Sequence, residues 1–182
     1  MELYTIGHSN HPVDDFVQLL AGHGVRQLVD VRSTPYSRFH PQFNKTALLQ
    51  VLLAYNIDYS WLGEVLGGRP KDPSCYKHQA IPTKAEANLH EVSYPAVMQR
   101  SWFVEGIHHL IEIADLQTTC IMCAEKDPVR CHRHHLISRY LLAQYPKVTV
   151  WHILGDGSLV HARSIPSLDE QSGAEQFSLY ST

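Results

Sequence analysis

The stretch RQLVDVRSTPYSRFHPQFNKTALLQVLLAYNIDYSWL, residues 26–62, decides the fold because it holds a complete strand–helix–strand unit. Residues 26–32 are rich in Val and Leu, which predicts a strand. Residues 44–56 predict a helix with Asn44 as its N-cap, and the alternating aromatic run at 57–62 predicts the next strand. Two strands joined through a helix run parallel in one sheet.

The rest of the chain repeats this alternation of strand and helix. We predict further strands at residues 2–6, 118–123 and 148–154, and further helices at 13–22, 96–115 and 127–145. Asp127 as N-cap and Pro128 at the first helical position mark the start of the last helix. The pattern predicts a three-layer α/β fold, Rossmann- or flavodoxin-like, with a mostly parallel five-stranded sheet and helices on both faces.

The domain organisation follows from length and local composition. A chain of 182 residues suits one domain, and we assign residues 1–162 to a single α/β domain. Residues 63–95, rich in Gly, Pro, Lys and His, are too long for an ordinary connection and are predicted to form an inserted loop. Residues 163–182 are predicted to form a polar C-terminal tail.

Charge and hydropathy restrict the partners. The formal net charge of -3 argues against broad, non-specific binding to duplex nucleic acid and leaves room for a local anion site. No apolar run reaches the roughly 18 residues that cross a membrane, and the N-terminus lacks signal-peptide character. We therefore expect a cytoplasmic protein without a membrane partner, and we make no prediction of its oligomeric state.

Candidate site residues are those that follow the predicted strands, because ligands of open parallel sheets bind outside the carboxyl ends of the strands. We expect the site at this carboxyl edge. The polar or special residues found there are His8 and Ser9 after the first strand; Asp30, Arg32, Tyr36, Ser37, Arg38 and Phe43 at and after the second; Gly67 and Gly68 after the third; and Cys123, Glu125, Cys131, His132 and Arg133 after the fourth.

Three of these residues already suggest contacts. Asp30 and Arg32 have the same strand parity, so their side chains lean to the same face. They form either a structural ion pair or an arginine preorganised by a carboxylate to hold an anion, and the two interpretations are compatible. Arg133 falls on the core-facing stripe of the last predicted helix, where a buried arginine needs a partner. Glu125, Asp30 and a ligand anion remain open for that role.

The cysteines at 75, 120, 123 and 131 are not expected to form disulfides in a chain without an export signal. Cys120 and Cys123 are three apart on one predicted strand, so they face opposite sides of the sheet. This disfavours a zinc pair and assigns Cys120 to the core. We predict no metal ligands and no cofactor, and a divalent metal remains an open alternative.

Five motifs carry a resemblance to a known family. They are YTIGHSN near the start, LVDVRSTPYSRFHPQFNK, LGEVLGG, CAEKDPVRCHR, and the closing VWHIL followed by DG. Together they cover nearly the whole chain, which resembles the bacterial and archaeal family called domain of unknown function 488. The resemblance implies an α/β fold, and the family name supplies no activity.

The residues favour an enzyme acting on an anionic, phosphate-bearing substrate, a nucleotide or nucleic-acid component, by acid/base chemistry. In this hypothesis arginines hold phosphate, an acid/base pair reacts and aromatic rings stack on a base. The assigned residues are Arg32, Arg38 and Arg133 for phosphate; His8 and Glu125 as acid and base; Asp30 to orient Arg32; and Tyr36, Phe39 or Phe43 for stacking.

Two alternatives remain. The VDVR motif is similar to a strand of sulfurtransferases, and Cys123 at a strand end suggests a thiol-based enzyme. However, Arg130 lies seven residues beyond Cys123, not six as in the related phosphatase loop, and the intervening acids oppose an anion. The other alternative is a non-enzymatic module for nucleic acid or a partner protein. Its basic strip would be Arg32, Arg38, His40 and Lys45.

Overall fold

The computed structural model describes residues 1–83 and 91–166 and has a mixed α/β architecture. Within these residues one six-stranded sheet has the order β3-β2-β4-β1-β5-β6. The strands are β1 (Glu2–Gly7), β2 (Gln27–Asp30), β3 (Asp58–Trp61), β4 (Thr119–Cys123), β5 (Thr149–Ile153) and β6 (Leu159–His161). The first five are parallel and β6 is antiparallel to β5, so the α/β class is confirmed.

The sheet has one strand more than the five that we predicted. β6 follows β5 through a tight turn in which the Leu154 N–H donates to the Ser158 carbonyl and the Gly157 N–H to the Leu154 carbonyl. Gly157 supplies the left-handed conformation of this turn, with a φ of 84°. Only three residues long and without a strongly apolar face, β6 has too weak a pattern to be recognised in the sequence.

Helical elements connect the strands. The α-helices that the described residues form are α1 (Val13–Gly22), α2 (Lys45–Ala54), α3 (Gly63–Leu66), α4 (Tyr94–Met98), α5 (Ser101–Leu116) and α6 (Arg139–Gln144). Short 3-10 turns occupy Pro41–Phe43, Pro73–Cys75, Pro128–Arg130 and Ala162–Ser164, and a π-helical segment, Arg133–Ser138, runs directly into α6. Among the described residues, no helix has the length and apolar character needed to cross a membrane.

The helix predicted at 96–115 is in fact two helices, α4 and α5. The helix is interrupted at Arg100, whose backbone is extended. Its side chain reaches back to the 72–74 turn, with Nη2 at 2.6 Å from Ser74 Oγ and Nε at 3.4 Å from Asp72. No Gly or Pro marks this break, so the helical periodicity could not locate it.

The helix predicted at 127–145 was also wrong at its start. Asp127 caps only the 3-10 turn, where its carboxylate accepts from the Val129 N–H at 2.9 Å. Cys131 is then extended, with φ -127° and ψ 139°, and its carbonyl accepts from the N–H groups of His134 and His135. The longer helix therefore begins after Cys131, and Arg133 lies at its start rather than within it.

Each face of the sheet packs against helices. On one face, Ile6, Leu28 and Met122 belong to the same apolar cluster as residues of α1 and α2. On the other face, Leu3 and Ile121 belong to a cluster with residues of α4, α5, the π-helical segment and α6. Alternate residues of each buried strand thus pack on opposite faces, which explains why these strands are predominantly apolar.

The inserted region 63–95 is partly ordered against the core. It contains α3, a 3-10 turn and an isolated bridge between Tyr76 and Val92, both of which are buried. Residues 84–90 of this region lie outside the described residues. So do residues 167–182, which make up most of the predicted polar tail.

The connection that follows β1 and the connection that follows β4 run in opposite directions across the sheet. The chain passes from β1 to β2 across the position of β4, and from β4 to β5 across the position of β1. The first connection contains α1 and the second contains the π-helical segment and α6. The carboxyl ends of β1 and β4 therefore lie side by side where the direction of the connections reverses.

Candidate functional site

Asp30 and Arg32 form a buried ion pair at the carboxyl end of β2, as their parity suggested. Arg32 Nη2 lies 2.6 Å from Asp30 Oδ2, and Arg32 Nε lies 2.9 Å from Oδ1. The carboxylate also accepts from the Arg32 backbone N–H at 3.0 Å and from the Tyr59 hydroxyl at 2.8 Å. With four donors on one carboxylate, the buried charge of Asp30 is fully compensated.

Most N–H groups of the Arg32 guanidinium donate hydrogen bonds within the protein. Besides Asp30, its Nη2 donates to the Phe43 carbonyl at 2.8 Å, and its Nη1 donates to His8 Nε2 at 3.2 Å. Four of the five N–H groups of an arginine are thereby engaged. For the fifth N–H, on Nη1, the structure shows no partner among residues 1–83 and 91–166.

His8 is held as a neutral imidazole by its two neighbours. Arginine can only donate, so Nε2 of His8 accepts and the proton lies on Nδ1. That Nδ1–H donates to the Ser9 carbonyl at 2.9 Å, and the ring stacks on Phe43 with centroids 4.3 Å apart. Burial, followed by the charge of Arg32, lowers the pKa of His8 to about 4. The imidazole is therefore uncharged at neutral pH.

The loops after β1 and β4 are joined beyond the strands themselves. The His8 N–H donates to the Cys123 carbonyl and the Ser9 N–H to the Ala124 carbonyl, each at 2.9 Å. Ser9 has a φ of 45°, the left-handed conformation that non-glycine residues seldom adopt. Gly7 permits this close approach, because a Cβ there would lie 1.8 Å from the Glu125 carbonyl oxygen.

Arg133 is fully buried, and it donates to a hydroxyl and to backbone carbonyls instead of the carboxylates that we considered. Its Nε donates to Thr5 Oγ1 at 3.2 Å, Nη1 to the Glu125 carbonyl at 2.5 Å and Nη2 to the Lys126 carbonyl at 3.0 Å. None of the ion pairs within residues 1–83 and 91–166 involves Arg133. The carboxylates of Glu125 and Asp30 are therefore not its partners, and Arg133 fixes the backbone of the loop after β4.

Cys123, Cys131 and His132 form a second buried group beside the first. Their ligand-type atoms, two Sγ and Nδ1, all lie within 4.8 Å of one another. The His132 Nδ1 atom is 3.6 Å from Cys123 Sγ and 3.9 Å from Cys131 Sγ. Nε2 of His132 lies 3.2 Å from the Val31 carbonyl, which can only accept. The Nε2 atom therefore carries a proton, and Nδ1 faces the two sulfurs.

The two thiols have opposite electrostatic tendencies. Burial opposes ionisation of Cys131, but the hydrogen bond from Cys123 and the positive charge of Arg133 outweigh it and lower the pKa of Cys131. The pKa of Cys123 is raised by the hydrogen bond that it gives to Cys131, by burial and by the charge of Cys131. A buried thiol with a raised pKa is a weak nucleophile, which does not favour the thiol alternative at Cys123.

Gly68 allows the His132 ring to take this position. A Cβ at Gly68 would lie 2.8 Å from both Cγ and Nδ1 of the imidazole. Gly67 is similarly enclosed, since its Cβ would meet the Gly63 carbonyl at 2.3 Å and Ser33 Oγ at 2.4 Å. The glycine pair after β3 thus packs against the loop after β2 and against His132.

The loop after β2 is folded on itself by side chain–backbone contacts. Asn44 Oδ1 accepts from the Ser37 N–H at 2.7 Å, so this side chain organises the loop and does not cap α2. The Ser37 hydroxyl accepts from the His40 N–H at 3.1 Å. Ser37 therefore has a structural role within the loop.

The aromatic residues of this loop divide between surface and core. Tyr36 and Phe39 are 63% and 83% exposed, whereas Phe43 is fully buried. The guanidinium of Arg38 lies 5.8 Å from the centre of the Phe39 ring. Tyr36, Arg38 and Phe39 thus form a solvent-exposed surface, whereas the buried Phe43 ring stacks on His8.

A buried polar chain behind Arg133 was not recognised in the sequence. Thr5 Oγ1 lies 2.7 Å from His152 Nδ1, and His152 Nε2 lies 3.0 Å from His134 Nδ1. Burial lowers the pKa of His152 to about 3 and that of His134 to about 4. The only sequence signal was the inward parity of Thr5 and His152, which does not distinguish a polar core from a site.

The structure brings most of the candidate residues into two adjoining groups. One contains His8, Asp30, Arg32 and Phe43, and the other contains Cys123, Cys131, His132 and Arg133. The Glu125 side chain is exposed next to them, and Cys120 lies on the opposite face of the sheet from Cys123. Tyr36 and Arg38 lie at the surface.

Comparison with known proteins adds one finding. The model of the family described as domain of unknown function DUF488 matches residues 12–141, well over half of the chain. Neither the curated proteins nor the solved structures contain a match.

Proposed function

The chain belongs to the DUF488 family, and from the geometry of its site we propose that it is an enzyme acting on a phosphate-bearing substrate, a nucleotide or a nucleic-acid component. The proposed site lies at the carboxyl ends of β1, β2 and β4, in a fold that we class as Rossmann-like. Ligands of such sheets bind where the connections reverse direction. His8 and Arg32 are next to that point.

The observation that carries the proposal is the charge and exposure of the segment after β2. Apart from Arg32, which is paired with Asp30, residues 31–57 contain Arg38 and Lys45 and no acidic residue, in a chain with a net charge of -3. Arg38 and Lys45 are exposed. A local excess of positive charge on an acidic protein favours an anion at this position.

The exposed aromatic rings narrow the class of anion. Tyr36 and Phe39 are both mostly exposed, and the Arg38 guanidinium lies 5.8 Å from the centre of the Phe39 ring. Aromatic rings next to arginine are the features on which nucleobases stack while the phosphates meet positive charge. An inorganic anion would gain nothing from these rings, whereas a nucleotide would.

Acid/base chemistry is assigned to Glu125, with His8 in support. Glu125 is exposed, and its carboxylate makes no hydrogen bond or ion pair that we observe within residues 1–83 and 91–166, so it is available to take a proton. The lone pair of His8 Nε2 is occupied by Arg32. His8 therefore acts by aiming the remaining N–H of Arg32 Nη1 at the substrate.

The first test is binding. Purified protein is titrated with fluorescent single-stranded DNA and RNA oligonucleotides and with nucleoside phosphates at several salt concentrations. Phe39→Ala should weaken binding by about tenfold, because one stacked base contributes about 1–3 kcal/mol. Arg38→Ala should weaken binding and reduce its salt dependence, because it removes a positive charge next to the phosphate. The matched control is Arg26→Ala, an exposed arginine before β2 at the opposite edge of the sheet. An affinity that does not change with salt concentration would contradict the proposal, and so would the absence of any binding.

The second test is turnover. The ligands that bind are incubated with the protein, and the products are analysed by mass spectrometry. Product formation should disappear in Glu125→Gln while binding and the unfolding transition are retained. Binding without any product would contradict the enzymatic part of the proposal and favour the non-enzymatic binding module.

A further inference from the structure

The cluster of Cys123, Cys131 and His132 has the composition and spacing of a metal site. We infer that these three residues bind one Zn²⁺ ion and leave its fourth coordination position open. The cluster consists of side chains other than those proposed to bind the phosphate-bearing substrate. The inference therefore stands or falls independently of the proposed function.

The distances fit a tetrahedral ion. Zinc bonds of about 2.3 Å to sulfur and about 2.0–2.1 Å to nitrogen place neighbouring S and N ligands about 3.6 Å apart. His132 Nδ1 lies 3.6 Å from Cys123 Sγ and 3.9 Å from Cys131 Sγ. All three atoms are within 4.8 Å of one another. One ion can therefore reach all three with small side-chain adjustments.

The His132 imidazole is oriented as metal-binding histidines are. Such histidines donate their second ring N–H to a carbonyl or carboxylate, which fixes the tautomer and directs the other nitrogen at the metal. His132 Nε2 lies 3.2 Å from the Val31 carbonyl. Gly68 packs against the ring, where a Cβ would lie 2.8 Å from Nδ1. The ligand atom is thus held in place by two neighbouring segments.

One of the two sulfurs accepts a backbone hydrogen bond that stabilises a thiolate. The Arg133 backbone N–H donates to Cys131 Sγ at 3.5 Å. The Arg133 guanidinium, buried without a carboxylate partner that we observe in the described parts of the chain, adds positive charge nearby. Two thiolates and an imidazole are soft ligands, which select zinc over magnesium or calcium.

The spacing of the cysteines in the sequence did not predict this site, because the two that meet are not the two nearest in sequence. Cys120 and Cys123 are the closer pair in sequence, but they lie on opposite faces of the sheet. Cys131 reaches Cys123 only because the loop after β4 folds back before the π-helical segment. Three protein ligands leave the fourth position for water or another small ligand, as in catalytic zinc sites.

The test is a metal titration of the full chain under reducing conditions, so that the cysteines cannot pair. Metal is first removed with a chelator, and Co²⁺ is then added as a spectroscopic substitute for Zn²⁺. We expect one equivalent of Co²⁺, with thiolate charge-transfer and tetrahedral absorption bands that Zn²⁺ abolishes by displacement. Elemental analysis of Zn²⁺-reconstituted protein should give one zinc per chain.

Variants assign the ligands. Cys123→Ser, Cys131→Ser and His132→Gln should each weaken Co²⁺ binding by at least about tenfold, since even changes in residues that orient metal ligands cost about 10–100-fold. Cys120→Ala, on the same strand and the opposite face, is the matched control and should keep one equivalent. Gly68→Ala retains all three ligand residues, and it should weaken Co²⁺ binding because the added Cβ displaces the His132 imidazole.

Two results would overturn the inference. One is a folded wild-type protein, verified by circular dichroism, that shows no tetrahedral Co²⁺ bands and retains no stoichiometric zinc. The other is Co²⁺ binding that Gly68→Ala and the ligand variants leave unchanged. Because Gly68→Ala removes no ligand, it keeps the inference testable if a cysteine variant does not fold.

Discussion

At the residue scale, Asp30 is the polar side chain on which the end of β2 depends most. It accepts from Arg32 and from the Tyr59 hydroxyl and is completely buried. Removing the carboxylate would leave the Arg32 charge buried, with only neutral partners at His8 and the Phe43 carbonyl.

We predict that Asp30→Ala lowers the free energy of unfolding by about 3–5 kcal/mol, the usual cost of breaking a buried pair on one side. Urea denaturation followed by circular dichroism measures it. Tyr59→Phe is the matched control, because it removes one neutral donor and keeps the ion pair, and it should cost about 1 kcal/mol. A loss below about 1 kcal/mol for Asp30→Ala would show that the pair is not needed for stability.

At the scale of elements, the site depends on how closely β1 and β4 continue past the sheet. Gly7 pairs with Cys123 in the β1–β4 register, and its Cα faces the Glu125 carbonyl. That carbonyl is in turn held by Arg133. A side chain at Gly7 would therefore separate the loop that carries His8 from the loop that carries Glu125.

We predict that Gly7→Ala destabilises the fold by about 3 kcal/mol or more, because its Cβ would lie 1.8 Å from backbone that cannot move alone. Thermal and urea unfolding both measure this. Gly22→Ala, at the end of α1 with nothing within 4 Å of the added Cβ, should leave stability unchanged or raise it by up to about 1 kcal/mol. Equal behaviour of the two variants would contradict the close approach.

The elements also show where periodicity succeeds and fails. α1 has the predicted bounds, because its apolar spacing is regular and it ends where Gly24 turns the chain. The breaks at Arg100 and Cys131 were missed. Each break lies next to a contact from elsewhere in the chain, with Asp72 and Ser74 in the first case and Cys123, whose Sγ is within 4.8 Å of Cys131 Sγ, in the second. Local pattern carries no information about such contacts.

At the scale of the whole molecule, the core contains histidines that must stay neutral. Burial is the main cause that lowers the pKa of His8 and His134 to about 4 and that of His152 to about 3. Burial also lowers the pKa of His135. In the unfolded chain these groups titrate near the ordinary pKa of about 6.5.

We predict that the protein loses stability as pH falls from about 6.5 to about 4. In this window the unfolded state takes up protons that the folded state cannot, so each such histidine costs about 1.4 kcal/mol per pH unit. Urea denaturation at pH 7, 6 and 5 measures the slope. His152→Gln should reduce the slope of the free energy of unfolding against pH by about 1.4 kcal/mol per pH unit, the contribution of one proton. His78→Gln, at a side chain that is 82% exposed, should leave the slope unchanged. A free energy of unfolding that is constant between pH 7 and 5 would contradict the buried neutral histidines.

The sequence by itself determined the α/β class, because alternating strand and helix patterns arise from residues that are neighbours in the chain. It also identified which residues follow each strand, and the opposite facing of Cys120 and Cys123, since strand parity is a local property. Only the tertiary structure decided the sixth strand, the strand order, the partners of Arg133 and the meeting of Cys123 with Cys131 and His132. These depend on contacts between segments distant in sequence, whose geometry is set by packing, burial and hydrogen bonding that no local pattern encodes.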